Sequence, residues 1–234
     1  IEVRGPMRGG RVTVDGSMSS QFITGLLLAL PMAQEDTTVS VRGAVSTPYI
    51  DMTLATIKRF GGEVMYNEGD YTQFYIEGNQ SYTAVDYTIE SDWSAAAIIM
   101  VAAAIAGEVT VRNISTLSLQ ADTAICRALE RAGASIIIES DSITVAQRPL
   151  SAFSFDATHC PDLFPALVAL AAAAEGMTTI YGIERLRGKE SDRGEVLTEE
   201  YRKLGIDIEL DYDENVMRIV GGEPRWAEVD SHDD

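Results

Sequence analysis

The stretch Ala121-Asp122-Thr123-Ala124-Ile125-Cys126-Arg127-Ala128-Leu129-Glu130-Arg131-Ala132-Gly133-Ala134-Ser135-Ile136-Ile137-Ile138-Glu139 reads as a helical run, a glycine stop and a strand. Gly133 stands just past the helix, where a residue in the left-handed conformation is favoured. Working outward, the same passage recurs around Gly61, after a helical run over 49–60, and around Gly205, after a helical run over 190–203. The three glycines are 72 residues apart at each step. A second marker agrees, because Val41, Val111 and Ile180, each inside a β-like run, lie 70 and 69 residues apart. A fixed period of this kind marks a repeated supersecondary unit.

Laid over one another, the three segments give one pattern. A short strand (12–14, 87–90, 153–156) precedes an apolar helix (20–30, 93–106, 161–174), then a strand (38–42, 109–112, 178–181) and a second helix. The glycine and two further strands close the unit (63–66 and 73–77, 135–139 and 142–146, 207–210 and 216–220). The unit is β-α-β-α-β-β, which predicts an α/β (α+β) fold with mixed sheets. The runs 95–106 and 166–174 are apolar nearly all round, so the first helix of each unit is expected to be buried in its domain. A buried helix whose first N–H groups open on a cleft is a ready anion site. Two partial domains are expected, residues 1–88 and 89–234.

Composition narrows the function. The chain has 234 residues, a net charge of −18 and 46% hydrophobic residues. That charge argues against nucleic acid as the main partner, while a few placed cations and helix N-termini still suit a small anion. The two cysteines, Cys126 and Cys160, suggest a reducing compartment. The longest apolar runs fall short of the roughly 20 residues needed to cross a bilayer. A soluble, cytoplasmic protein is expected, with neither nucleic acid nor membrane as partner. The chain opens on Ile1 and closes on Asp234, and an excerpt of a longer protein is expected.

Four short constellations carry candidate chemistry. Gly16-Ser17-Met18-Ser19-Ser20-Gln21 gathers hydroxyls, an amide and backbone N–H groups at a helix start, a set able to grip a phosphate; its plain alternative is a serine N-cap. Ser46-Thr47-Pro48-Tyr49 does the same at the next helix, with the same alternative. Asp162, in Cys160-Pro161-Asp162, is either a helix-dipole partner or a base for a substrate hydroxyl. Arg187-Gly188-Lys189-Glu190-Ser191-Asp192-Arg193 packs five ionisable side chains into seven residues. A helix starting near Glu190 would set Lys189, Glu190 and Arg193 on one face; the plain alternative is a solvated first turn with its own ion pairs. His159 reads as structural or exposed, and no metal-ligand spacing is present.

Together these stretches, with the closing His232-Asp233-Asp234, resemble the enolpyruvyl transferases, and among them the 3-phosphoshikimate 1-carboxyvinyltransferase (5-enolpyruvylshikimate-3-phosphate synthase) family. The motifs fall in the family's order over nearly the whole chain, and Lys189-Glu190-Ser191-Asp192-Arg193 is the specific one. The resemblance implies two domains of βαβαββ units with an active site between them. It implies transfer of the enolpyruvyl group of phosphoenolpyruvate to the 5-hydroxyl of shikimate 3-phosphate, with release of phosphate and without metal or organic cofactor. By motif, Ser19, Ser20 and Ser46 would hold shikimate 3-phosphate, with Tyr49 against its ring and Gln21 reaching both substrates. Asp162 would take the 5-hydroxyl proton, Lys189 would sit on that hydroxyl, Glu190 would protonate the methylene, and Arg193 would bind the phosphoenolpyruvate carboxylate. The full-length enzyme is expected to be a monomer.

There are departures. Arg185 stands where some members carry a substrate-binding Asn, so that role is not carried over. The N-terminal Lys-Ser and Arg of the family site, its C-terminal Lys and the His-Arg that follows the last Asp are not in this chain, which alone is expected to be inactive or nearly so. Two other readings stand beside the first: the sister enzyme acting on UDP-N-acetylglucosamine, and a non-catalytic anion-binding module built from the same repeats.

Overall fold

The computed structural model describes Glu2, residues 4–187 and residues 191–232 of the chain, which forms two compact units, Ile1–Thr88 and Ile89–Asp234. The first unit runs β1 (Gly10–Asp15), α1 (Gln21–Ala29), β2 (Thr37–Arg42), α2 (Thr47–Arg59), β3 (Met65–Asn67) and β4 (Asp70–Ile76). That is one complete β-α-β-α-β-β repeat. Its sheet has the order β1-β2-β4-β3, with β1 and β2 parallel and the other neighbours antiparallel. Ile23, Leu27, Ile50, Ile57, Phe74 and Ile76 form its core.

The second unit runs α3 (Trp93–Ala106), β5 (Glu108–Arg112), α4 (Ile125–Ala132), β6 (Ser135–Ile138), β7 (Ser142–Ala146), β8 (Ser154–Asp156), α5 (Phe164–Ala172), β9 (Met177–Tyr181), α6 (Arg193–Lys203), β10 (Asp207–Asp211) and β11 (Val216–Val220). Its sheets have the orders β5-β7-β6 and β10-β11-β9-β8. One core, built around Trp93, Met100, Leu129, Phe164, Leu167 and Met217, joins both repeats. Burying each such side chain contributes roughly 1.5–3 kcal/mol. Gly133 and Gly205 follow α4 and α6 with φ of +87° and +83°. Cys126 and Cys160 are buried free thiols, and burial pushes their pKa values up to about 11 and 12.

Three expectations need correction. Residues 87–90 form no strand, although β1 and β8 lead the other two repeats and pair in parallel with β2 and β9. All four residues are exposed, Ile89 at 80%, so neither side of the stretch buries an apolar face. A strand needs ladder bonds and a half-buried surface, and β5 keeps an open edge. The helix expected from Glu190 begins at Arg193 instead, because Asp192 caps it by accepting a bond from Glu195 N at 3.4 Å. Lys189 and Glu190, which were expected to share a face with Arg193, lie outside the described residues.

The third correction concerns the apolar helices. α5 is wrapped as expected, with Phe164, Leu167, Val168, Leu170 and Ala171 fully buried against α3, α4 and β11. α3 is covered on one side only, and Ile98 and Ile99 are 59% and 52% exposed. α1 likewise leaves Phe22 and Leu28 exposed. An apolar run shows that burial is available to a helix, not how many sides the neighbours cover.

Candidate functional site

In the first unit the C-terminal ends of the parallel strands β1 and β2 deliver two loops to one place. In open α/β sheets that edge is where ligands are held. The loops are tied together: Gly16 N donates to Arg42 O at 2.8 Å and Val45 N donates to Gly16 O at 3.3 Å. Gly16 is required by this approach, since a Cβ there would meet Ile23 Cδ1 at 2.9 Å and Ala44 Cα at 3.2 Å. Ser17 serves structure, its N–H and Oγ donating to Asp15 Oδ1 at 2.9 and 2.6 Å. Those bonds hold Asp15 below the ordinary carboxylate range.

Ser20 and Ser46, both 6% exposed, stand at the starts of α1 and α2. Neither side chain makes a helix-capping hydrogen bond, so the N-cap alternative does not account for them. Ser46 also holds a left-handed backbone, φ 52°, which costs a residue with a Cβ about 1–2 kcal/mol. Strain of this kind collects at ligand sites. Ser19 Oγ accepts from Gln21 N at 3.2 Å. Gln21 is exposed and Tyr49 half-buried. Ser19, Ser20, Gln21, Ser46 and Tyr49 are thus brought to one end of one unit.

In the second unit Asp162 lies in the 3-10 turn Pro161–Leu163 that opens α5, and Arg193 is the first residue of α6. Arg193 Nη1 donates to Asp162 Oδ1 at 2.9 Å, the side chains being 18% and 36% exposed. As a bare ion pair at that exposure it would be worth up to about 1 kcal/mol. Arg185 approaches from the turn Ile183–Leu186; burial lowers its pKa, and the charges of Glu184 and Asp162 act the other way. Arg187 stacks its guanidinium 3.8 Å from the Tyr212 ring centre. Lys189 and Glu190 lie outside the described residues. His159 is exposed.

One group near this turn, Asp122, was not singled out from sequence. Asp122 is fully buried and accepts a short hydrogen bond from Ser94 at the start of α3. Burial is the main cause that raises the Cys160 thiol, and the charge of Asp122 adds to it while Arg127 opposes. The α3 start, the turn Ala121–Ala124 and the Cys160 turn therefore converge. An acid in the first turn of a helical run was the available signal for Asp122. A groove of about 800 Å³ lined by Ile105, Leu150, Ala169, Tyr201 and Leu204 contains none of these residues.

The comparisons with known proteins follow the geometry. A family model described as EPSP synthase (3-phosphoshikimate 1-carboxyvinyltransferase) matches residues 1–234. The chain is 41% identical over 228 residues to the 3-phosphoshikimate 1-carboxyvinyltransferase of Aeromonas salmonicida, covering 97% of this chain and 53% of that protein. It is 40% identical over 240 residues to that of Methanosarcina acetivorans, covering 100% of this chain and 55% of that protein. The structure resembles EPSP synthase from Acinetobacter baumannii, with TM-score 0.72 and 27% identity over 93% of this chain and 49% of that one. The enolpyruvyl transferase NikO from Streptomyces tendae shares the fold, with TM-score 0.65 and 18% identity over 92% of this chain and 52% of that one. The chain spans about half the length of the curated relatives it matches. It carries repeated βαβαββ units of the enolpyruvyl transferase fold, and it belongs to the EPSP synthase family.

Proposed function

We propose that a full-length protein containing this chain is a 3-phosphoshikimate 1-carboxyvinyltransferase (EC 2.5.1.19), acting in the shikimate pathway of aromatic amino acid biosynthesis in the cytoplasm. It transfers the enolpyruvyl group of phosphoenolpyruvate to the 5-hydroxyl of shikimate 3-phosphate and releases phosphate. The observation that carries this reading is about 40% identity to named synthases over essentially the whole chain. Among the described residues no helix is long and apolar enough to cross a membrane. The 234 residues alone, at about half the relatives' length, are expected to turn over little or nothing.

Each unit supplies a different part. The hydroxyls of Ser19, Ser20 and Ser46, with Gln21, hold the phosphate of shikimate 3-phosphate, and Tyr49 packs against its ring. Support comes from Ser20, which is buried and does not cap its helix, and from the left-handed backbone of Ser46. Hydrogen bonds to a charged group are worth about 1.5–3 kcal/mol each. Asp162 takes the proton of the 5-hydroxyl as the hydroxyl oxygen attacks C2 of phosphoenolpyruvate, and Glu190 protonates the methylene carbon; the C2–O bond to phosphate then breaks as the new methyl group gives up a proton, which restores the double bond and frees phosphate. Lys189 steadies the same hydroxyl oxygen. Arg193 binds the phosphoenolpyruvate carboxylate, a role its planar fork suits. Arg193 lies on Asp162, so binding of phosphoenolpyruvate by the guanidinium would leave that carboxylate to the hydroxyl. No metal enters this chemistry.

The test is phosphate release from phosphoenolpyruvate by the full-length protein, with shikimate 3-phosphate or UDP-N-acetylglucosamine as acceptor. Release with shikimate 3-phosphate alone is expected. Release with the sugar nucleotide alone would replace this reading by the sister enzyme, and release with neither would leave an anion-binding module.

A further inference from the structure

Beyond β11 the chain continues as an irregular strap over residues 221–232. Backbone bonds fasten its first part: Gly221 N to Gly176 O at 3.0 Å, Gly222 N to Ala172 O at 3.0 Å, and Arg225 N to Leu204 O at 2.8 Å. Its middle presents Trp226 and Val229 to solvent, 92% and 55% exposed. Apolar packing therefore does little to hold the far end. A carboxylate of α6 contributes instead. Glu200 of α6 is 7% exposed, and its Oε2 accepts from Asp230 N at 2.9 Å. Its Oε1 accepts from Lys203 Nζ at 2.6 Å and meets His232 Nε2 at 2.9 Å. An ionised carboxylate only accepts, so Nε2 carries the proton. The end of the strap is shaped for this contact: His232 has φ 56° and its N–H donates to Asp230 Oδ1 at 2.8 Å.

We propose that Glu200 is a positioning residue, which fastens the far end of the strap to α6 through Asp230 and His232 and so fixes where His232, the first residue of the closing motif, lies. Metal binding is a poorer account of the same cluster. Ligand atoms of Glu199, Glu200 and His232 lie within 4.8 Å of one another, but Lys203 Nζ is 2.6 Å from Glu200 and 3.8 Å from Glu199. The ammonium already supplies the cation.

The charged groups that face the imidazole are Glu199, Glu200 and Lys203 on α6 and Asp230 on the strap. The Glu200 hydrogen bond is the main cause raising His232 above its ordinary 6.5, with Asp230 and Glu199 adding to it. Glu200 is held down at about 2, first by Lys203, then by His232 and the Asp230 N–H. The signs follow. The His232 tie is whole below pH 6.5 and is lost as pH rises through the raised value. The Glu200 contribution is whole above pH 4.5 and is lost as pH falls toward about 2. Above the His232 value the Asp230 bond remains, so fastening loosens in two stages.

The chain has two histidines, His159 and His232, so an imidazole NMR titration separates them. His232 is expected to titrate above the ordinary 6.5, and Glu200→Gln to lower its proton affinity by about tenfold. In that variant amide exchange at Asp230 and His232 should quicken by about tenfold or more; exposed Glu199→Gln should change it little. His232→Gln, which keeps a donor but does not titrate, should remove the alkaline rise in exchange at Asp230. Unaltered titration and exchange in Glu200→Gln would overturn the fastening, and neither readout needs turnover. The positioning role rests on the function proposed above. In the full-length protein Glu200→Gln should move the alkaline limb of kcat/KM to lower pH, and a limb left in place while strap exchange quickens would overturn that role.

Discussion

The two units present their candidate binding residues by different physical means. In the first, Ser19, Ser20, Gln21 and Ser46 stand at helix starts where parallel strands β1 and β2 end, and uncharged side chains are gathered at a tightly tied pair of loops. In the second, Asp162 and Arg193 already satisfy each other across 2.9 Å, with Arg185 beside them. The first arrangement is preorganised and fits a ligand that stays bound unchanged, such as a phosphate group being held. The second is a set of opposed charges whose pairing has to change for a substrate to enter, which fits the part of the reaction where protons move. Holding and chemistry are thus divided between the units in the proposed account.

The largest break in this comparison is expected from the second unit. In the full-length protein, Asp162→Ala or Glu190→Ala should lower kcat by about 10²–10⁴-fold, measured by phosphate release, while leaving fold and circular dichroism intact. Stability should divide by unit. Trp93→Ala, in the core of the second, is expected to cost about 3–5 kcal/mol; exchange protection should fall there and hold at Ile23, Ile50 and Phe74 in the first. Ser46→Gly should stabilise the first unit by up to about 1 kcal/mol in thermal unfolding, because it relieves a left-handed Cβ. Ser20→Ala should cost less than the roughly 1 kcal/mol of a lost N-cap, since the hydroxyl makes no capping bond. Smallest of all, Phe22→Ser and Ile98→Ser, on the exposed sides of α1 and α3, should change stability by no more than about 0.5 kcal/mol. A larger loss would mean those faces are covered.

Repeat spacing made most of the fold legible. Gly133 and Gly205 fell after their helices with positive φ, and the bounds of α3, β7 and β11 could be read from residue pattern alone. Residues 87–90 alternate like a strand, yet sequence does not say whether an edge lies alongside to pair with. The start of α6 was legible but misread: Asp192-Arg193-Gly194-Glu195 carries an N-cap acid with a glutamate three residues on, a stronger start signal than the charges before it. Of the candidate site, the serines and Asp162 were found by motif. The Arg193–Asp162 pairing was not, because contacts between residues 31 apart depend on how α5 and α6 pack. Asp122 and Glu200 were missed for the same reason, since each bonds to a group far along the chain, Ser94 at 28 residues and Asp230 at 30.

The division between the units is tested most directly by one crossed titration in the full-length protein. Ser46→Gly and Arg193→Gln would each be measured for the Kd of shikimate 3-phosphate and the KM of phosphoenolpyruvate. The account predicts that Ser46→Gly weakens shikimate 3-phosphate by about tenfold or more, the loss of one hydrogen bond to a charged group, and leaves phosphoenolpyruvate within about threefold. It predicts the reverse for Arg193→Gln. If both variants weaken both substrates alike, or if Ser46→Gly leaves shikimate 3-phosphate untouched, the hydroxyls of the first unit are not the phosphate grip and the account is wrong.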